Sequence, residues 1–321
     1  MSNSPIIQGA AALSGVPARL DASTSLFLDQ ELRKLDERVF IQPKPALSAL
    51  SGLFPVKSDF LPWQTTYTYR QIDSVGKAAI MAPSSGAFPV VNVNRSESET
   101  AIVAIAVAVL LDAGQLEAAR ALGIPLEDSY FMAAKRAIEE QANTLAWVGD
   151  EDSGVQGLLT SPGIGRDAAD NAIATATSAA NNLVELNKLA NSAPNASGQV
   201  EMPDIALLPP DSYQAVAQQQ FSAASDTSTL NFWKATNGYI GEARPIRELA
   251  SANILVNQAR TLTDCAVSFR RDPMALEFLY SGIQRLPMMQ TGPLTYQIPF
   301  VAYCGGMAVR LPKSVMLITG V

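Results

Sequence analysis

An α+β protein is predicted from three features of the sequence. Glu127–Val148 is a long segment with helical periodicity. Ala101–Leu111 alternates small and β-branched residues, the period of a strand. Met274–Val321 is strand-like throughout, and no regular strand–helix alternation of a parallel sheet connects these parts.

The helix is the best marked element. Phe131, Ala134, Ile138, Ala142 and Leu145 recur at three- and four-residue steps and share one face. Lys135, Arg136, Glu139, Glu140 and Asn143 fall on the other. Pro125 precedes the segment, where a missing N–H costs nothing. Glu127 and Asp128 complement the helix dipole in the first turn. Gly149 can end the helix in a left-handed conformation.

In chain order, residues 1–24 read as a small, polar, extended or mobile arm, and Ser25–Val39 as a short amphipathic helix. Pro43, Pro45, Pro55 and Pro62 keep the next segment extended. Trp63–Val93 reads as a long polar hairpin. Thr65–Ile72 and Pro89–Val93 are its strands, and Ala82–Gly86 is its turn. It has too little apolar surface for a core of its own, so it either packs down or reaches out to something else. Val103, Ile105, Val107 and Val109 alternate with Ala104, Ala106 and Ala108, which predicts a buried strand with one bulky and one small face. Ala113–Leu122 is a short helix before Gly123 and Pro125.

Beyond the long helix, Gly154–Gly165 is Gly- and Ser-rich and marks a boundary. Ala172–Ala190 reads as a helix, Pro194–Gly198 as a loop and Ile205–Leu208 as a strand. Pro209–Gln220 and Leu230–Thr236 read as helices, the second capped by Asp226 or Thr227. Ile246–Val267 suits strands and loops. Leu276–Leu279, Leu294–Tyr303 and Ala308–Thr319 are the closing strands, with a turn at Gly305-Gly306.

Composition excludes several function classes. The 321 residues contain no histidine, which removes Ser-His-Asp and Cys-His catalysis and His-ligated metals. Cys265 and Cys304 fit no metal spacing and read as buried free thiols in a reducing compartment. The net charge of −7 lacks the basic cluster that a nucleic-acid surface needs. Charged residues are only 17%, against about 25% in typical soluble chains. Such sparse charge suggests a surface covered by other subunits. The N-terminus lacks the pattern of a signal peptide. The eleven-residue apolar run Ala101–Leu111 is too short to cross a bilayer. A soluble, cytoplasmically made protein is expected, with no membrane partner.

No active site emerges. Asp150, Glu151 and Asp152 are the densest carboxylates, but adjacent loop residues point in different directions, so a solvated turn is the expectation over a Mg²⁺ or Ca²⁺ site. Gly163-Ile164-Gly165 lacks the third glycine and lysine of a nucleotide loop. Asn94-Arg95-Ser96 and Asn195-Ala196-Ser197 match glycosylation acceptors without meaning in a cytoplasmic chain. No catalytic, cofactor-binding or metal-ligating residues are assigned, and no cofactor or enzymatic activity is expected.

Six short motifs then stand in one order. They are Arg38-Val39-Phe40, Tyr69–Gly76 (YRQIDSVG), Arg136–Glu140 (RAIEE), Leu145–Asp150 (LAWVGD), Gly154–Leu159 (GVQGLL) and Leu207–Pro210 (LLPP). Together with the order of elements, they resemble the major capsid proteins of tailed bacteriophages, the Hong Kong 97-type fold, over nearly the whole chain from Leu26. The resemblance implies an icosahedral shell around a phage genome, built from pentamers and hexamers of this chain. It implies an arm and lead-in at 1–62, an extended loop at 63–99 lying over a neighbour, and a peripheral domain at 100–150 with spine helix 127–148. An axial domain at 151–270 and closing strands at 271–321 complete the division. It also implies a virion protein assembled in the host cytoplasm, around DNA that it does not bind specifically. Scaffold, portal and decoration proteins would be separate chains. Cross-linking through Lys77 is not expected, since no acceptor is identifiable. Two alternatives share some of these features: an encapsulin-type compartment shell, and a carboxylate-dependent metal hydrolase using Asp150 and Asp152.

Overall fold

The computed structural model describes residues 43–321 except 62, 79, 81–89, 123–125, 174–177, 223, 225 and 252–262. The expected N-terminal arm, the helix Ser25–Val39 and the turn Ala82–Gly86 lie outside the described residues. Of the two compact units, Met1–Pro45 and Ala46–Val321, the second carries every element below.

β13 (Thr295–Val309) is the central strand of a seven-stranded sheet. It is antiparallel to β11 (Leu276–Arg285), β12 (Met289–Gln290) and β4 (Val103–Asp112), and pairs in parallel with β6 (Val155–Gln156). β1 (Val56–Lys57) and β5 (Gly149–Asp150) are its short edges. The helix α2 (Leu126–Trp147) packs on one face of this sheet, preceded by α1 (Ala113–Leu122). A second, five-stranded sheet has the order β7 (Gly165–Ala168), β14 (Val315–Thr319), β10 (Cys265–Phe269), β8 (Ile205–Leu208), β9 (Glu242–Pro245). α3 (Ala179–Ser197), α4 (Pro210–Gln218) and α5 (Thr229–Thr236) accompany it. β2 (Thr66–Val75) and β3 (Asn92–Ala101) form a separate two-stranded antiparallel hairpin.

The chain is therefore α+β, as its periodicities predict. Ala134, Ile138, Ala142 and Leu145 of α2 are buried against residues of both sheets. Gly149 has φ +73, and a Cβ there would lie 2.3 Å from the Val155 carbonyl, so glycine is needed for both conformation and space.

The differences from expectation have local causes. Phe131 is 39% exposed, its ring 5.6 Å from Phe300. Asn143, placed on the polar face by spacing, is buried. Its Oδ1 accepts from the Ala49 N–H (3.0 Å) and its Nδ2 donates to Glu248 (3.1 Å). The segment 43–62 is not uniformly extended, because a helical turn Ala49–Leu53 forms and buries Ala49 and Leu53. β4 is not buried on both faces: Val103, Ile105, Val107 and Val109 are half-buried, whereas Ala104, Ala106 and Ala108 are exposed. The returning hairpin strand begins at Asn92 and continues to Ala101.

α3 is offset from the expected Ala172–Ala190, contains Pro194 and ends at Gly198 in the left-handed conformation. The cap of α5 is Ser228, whose side chain accepts from the Asn231 N–H. Between Ile246 and the strand β10, the described residues include a 3₁₀ turn, Arg247–Leu249. Gly305-Gly306 is no turn. β13 runs through both residues with a bulge, since Leu279 pairs with Gly306 and Tyr280 with Cys304. Gly306 has φ +67, and a Cβ there would stand 2.3 Å from the Gln156 carbonyl.

Candidate assembly surface

The hairpin buries little of itself. Two ten-residue strands pair from Thr66↔Ala101 to Val75↔Asn92. Ile72 (69% exposed), Val75, Val91 and Val93 face solvent. Its root is different. Tyr67, Tyr69 and Gln71 lie on one side of β2 and are half-buried, because side chains two residues apart share a face. Tyr67 and Tyr69 pack against a small cluster of Phe60, Leu279 and Ala308. The Tyr69 hydroxyl donates to the Val309 carbonyl (3.0 Å), and Gln71 Nε2 donates to the Arg310 carbonyl. Burial raises the Tyr69 pKa above its ordinary value. On β3, Thr100 is buried and its Oγ1 donates to the Gly305 carbonyl (3.0 Å). At its root the hairpin therefore packs down on its own chain. Arg70 pairs with Glu97 across the hairpin (2.7 Å), so that charge is committed within the chain. Lys77, just past β2, is exposed.

A second surface is the open face of the large sheet. Residues directly opposite in an antiparallel pair share a face. Ala104, Ala106, Ala108 and Leu110 therefore line up with Tyr303, Val301, Pro299 and Gln297, and Gln297 lines up with Met289. Leu110 is 61% exposed and Met289 52%. An antiparallel sheet open to water ordinarily carries polar residues on that face; this one carries mainly Ala, Val, Pro, Leu and Met, beside Gln297 and Tyr303. An apolar face of that kind marks an interaction surface. Strand alternation predicts the small face from sequence, but only the structure shows that among the described residues Ala104, Ala106, Ala108 and Leu110 stay exposed.

The candidate chemical residues do not converge. Asp150 ends β5 and accepts from Ser153, and Glu151 and Asp152 occupy the turn that follows. Asp150 and Glu151 border a cleft of about 770 Å³ with Gln141, Thr144, Gln156 and Arg166, whose guanidinium is held by the Leu159 carbonyl. Among the described residues, no three His, Cys, Asp or Glu side chains come together as metal ligands. Gly165 starts β7 against Met316, where a Cβ would stand 2.6 Å from the sulfur. Asn94–Ser96 lies on β3 and Asn195–Ser197 on the last turn of α3. Cys265 and Cys304 are buried and free, and burial pushes both thiols up to about 12. No described helix is long and apolar enough to cross a membrane.

The two-sheet α+β fold with its projecting hairpin is of the Hong Kong 97-like class. The family model for major capsid proteins matches residues 76–321, and the chain belongs to that family. It is similar in structure to the capsid of Myoviridae phage XM1, with TM-score 0.77 and 15% identity, over 91% of this chain and 98% of that one. A structure from Mycobacterium phage Bobi aligns with TM-score 0.62 and 12% identity, over 94% and 99% of the two chains. One from Gordonia phage Cozz aligns with TM-score 0.58 and 13% identity, over 99% of both. No curated protein matches the sequence. The protein is thus a phage major capsid protein, a structural component of the virion that self-assembles into oligomers. The encapsulin and hydrolase alternatives are not favoured.

Proposed function

We propose that this chain builds an icosahedral shell of pentamers and hexamers around the genome of a tailed phage, after synthesis in the bacterial cytoplasm. The observation that carries the reading is a hairpin of two ten-residue strands that buries little beyond its root. An isolated two-stranded ribbon is marginal in water, so its outer part needs a neighbour to be stable. In this reading residues 63–99 are the extended loop, lying over an adjacent copy. α2 is the spine of a peripheral region spanning 100–150 and 271–321. Residues 151–270 form the axial region that meets its copies at five- and six-fold axes. A scaffold, where one is used, is a separate chain. DNA is enclosed without a specific grip, consistent with a net charge of −7.

Electron microscopy of the purified protein, alone and, where its phage uses a scaffold, co-expressed with that scaffold, tests the proposal. Closed particles or rings of five and six subunits are expected. A monodisperse monomer at high concentration with its scaffold present refutes it.

A further inference from the structure

We infer that Arg310 is the positioning residue of the hairpin, fixing the angle at which it leaves the body and so the uniformity of the shell; this rests on the shell reading above. Arg310 follows β13, and its backbone N–H is held by the Ala275 carbonyl (2.8 Å). One guanidinium serves three acceptors: the Pro273 carbonyl (2.5 Å), Glu277 Oε2 (2.5 Å) and the Tyr67 hydroxyl (2.9 Å). The side chains of Arg310 and Glu277 are mostly buried, so the pair is partly shielded from water. Lys57 sits 5.6 Å from the centre of the Tyr67 ring, on the same root.

The contacts form a line. Tyr67 meets the Arg310 side chain, Tyr69 the Val309 carbonyl and Gln71 the Arg310 carbonyl. Three attachments along one strand fix its direction, where a single one leaves a pivot. The partner strand is tied through Thr100 to Gly305, four residues before Val309 on the same β13. Both hairpin strands are thus fastened to one strand of the large sheet. From Ile72 outward β2 is exposed. Val75 lies about 13 Å beyond Gln71 at about 3.3 Å per residue, so a root rotation of about 10° moves it about 2 Å, roughly half a strand spacing. That is enough to spoil register against a neighbour. A planar five-donor fork is the side chain suited to hold three acceptors at fixed directions; a lysine presents a point charge.

The test uses the full chain with spin labels at Thr68→Cys, in the fastened root, and Asp211→Cys, both exposed positions, while the native cysteines are buried. Pulsed electron resonance on dispersed protein reads the spread of the hairpin-to-body distance. In Arg310→Met the spread is expected to widen at least twofold with the circular dichroism spectrum unchanged, and assembled particles change from one diameter to several. An unchanged spread, or particles of one diameter despite a widened spread, overturns the inference. If Arg310→Met does not fold, Tyr67→Phe removes only the hydroxyl and is read by the same two outcomes. If the unlabelled wild-type chain makes no closed particles with its scaffold, the shell reading fails, and the distance measurement still decides whether Arg310 sets the angle.

Discussion

At the scale of single residues, buried polar contacts do the placing. Trp147, fully buried, donates its indole N–H to Ser48 Oγ (2.9 Å), and Asn143 joins Ala49 to Glu248. These bonds fasten the last turns of α2 to segments about 100 residues away on either side. A lost partner there would leave a buried group unpaired, at about 1–3 kcal/mol. Tyr69 gives a pH prediction. It is neutral below its pKa, and burial raises that pKa in the folded protein above the ordinary 10.0. Its contribution is therefore complete below pH 10 and lost as pH climbs through the folded value. Ultraviolet difference spectra of tyrosinate should show a late-titrating group that Tyr69→Phe removes; its titration at the ordinary value contradicts the docked root.

At the scale of elements, α2 is organised by its apolar stripe. Ile138 is 1% exposed, whereas Lys135–Glu139 and Arg136–Glu140 form ion pairs on the outer side. Ile138→Asp would place a carboxylate in that core at about 3–5 kcal/mol, enough to consume much of a typical domain's stability. Loss of soluble protein, or a collapsed thermal midpoint, is expected; a well-folded variant would show the wrong face was chosen. The hairpin behaves in the opposite way. Removing residues 78–87 should leave the circular dichroism spectrum and melting of the body intact and stop shell closure. Hydrogen exchange on capsomers and shells complements this: protection of residues 72–77 and 90–97 should appear only on assembly, and equal protection in both states would show that the outer hairpin needs no neighbour.

At the scale of the whole molecule, sparse charge and open apolar faces describe a part of a larger surface. The same charge bears on the genome. A shell of chains at −7 should bind DNA weakly, and retention on immobilised DNA should vanish at about 0.15 M salt, where the Debye length is about 8 Å. Tight, steeply salt-dependent binding would point to a basic inner surface that the composition does not provide.

Local patterns alone determined much of this protein. The stripe of α2 set its span to within a residue at each end, and Gly149 marked its stop because only glycine takes φ +73 against the Val155 carbonyl. α1 and β8 fell where periodicity put them, and the ordered motifs matched the capsid family. What periodicity cannot register is who stands beside whom. Asn143 reads as a surface residue until Ala49 and Glu248 close over it, and Phe131 reads as core although α2's start leaves it 39% exposed. Gly305-Gly306 reads as a turn until β6 crosses close enough to require glycine inside a strand. The Ala face of β4 reads as buried, and the structure leaves Ala104, Ala106 and Ala108 exposed. The clamp at Arg310 was least visible of all. Its partners Tyr67, Pro273 and Glu277 are separated from it by 243, 37 and 33 residues, and only packing of the hairpin root on the large sheet brings the four together.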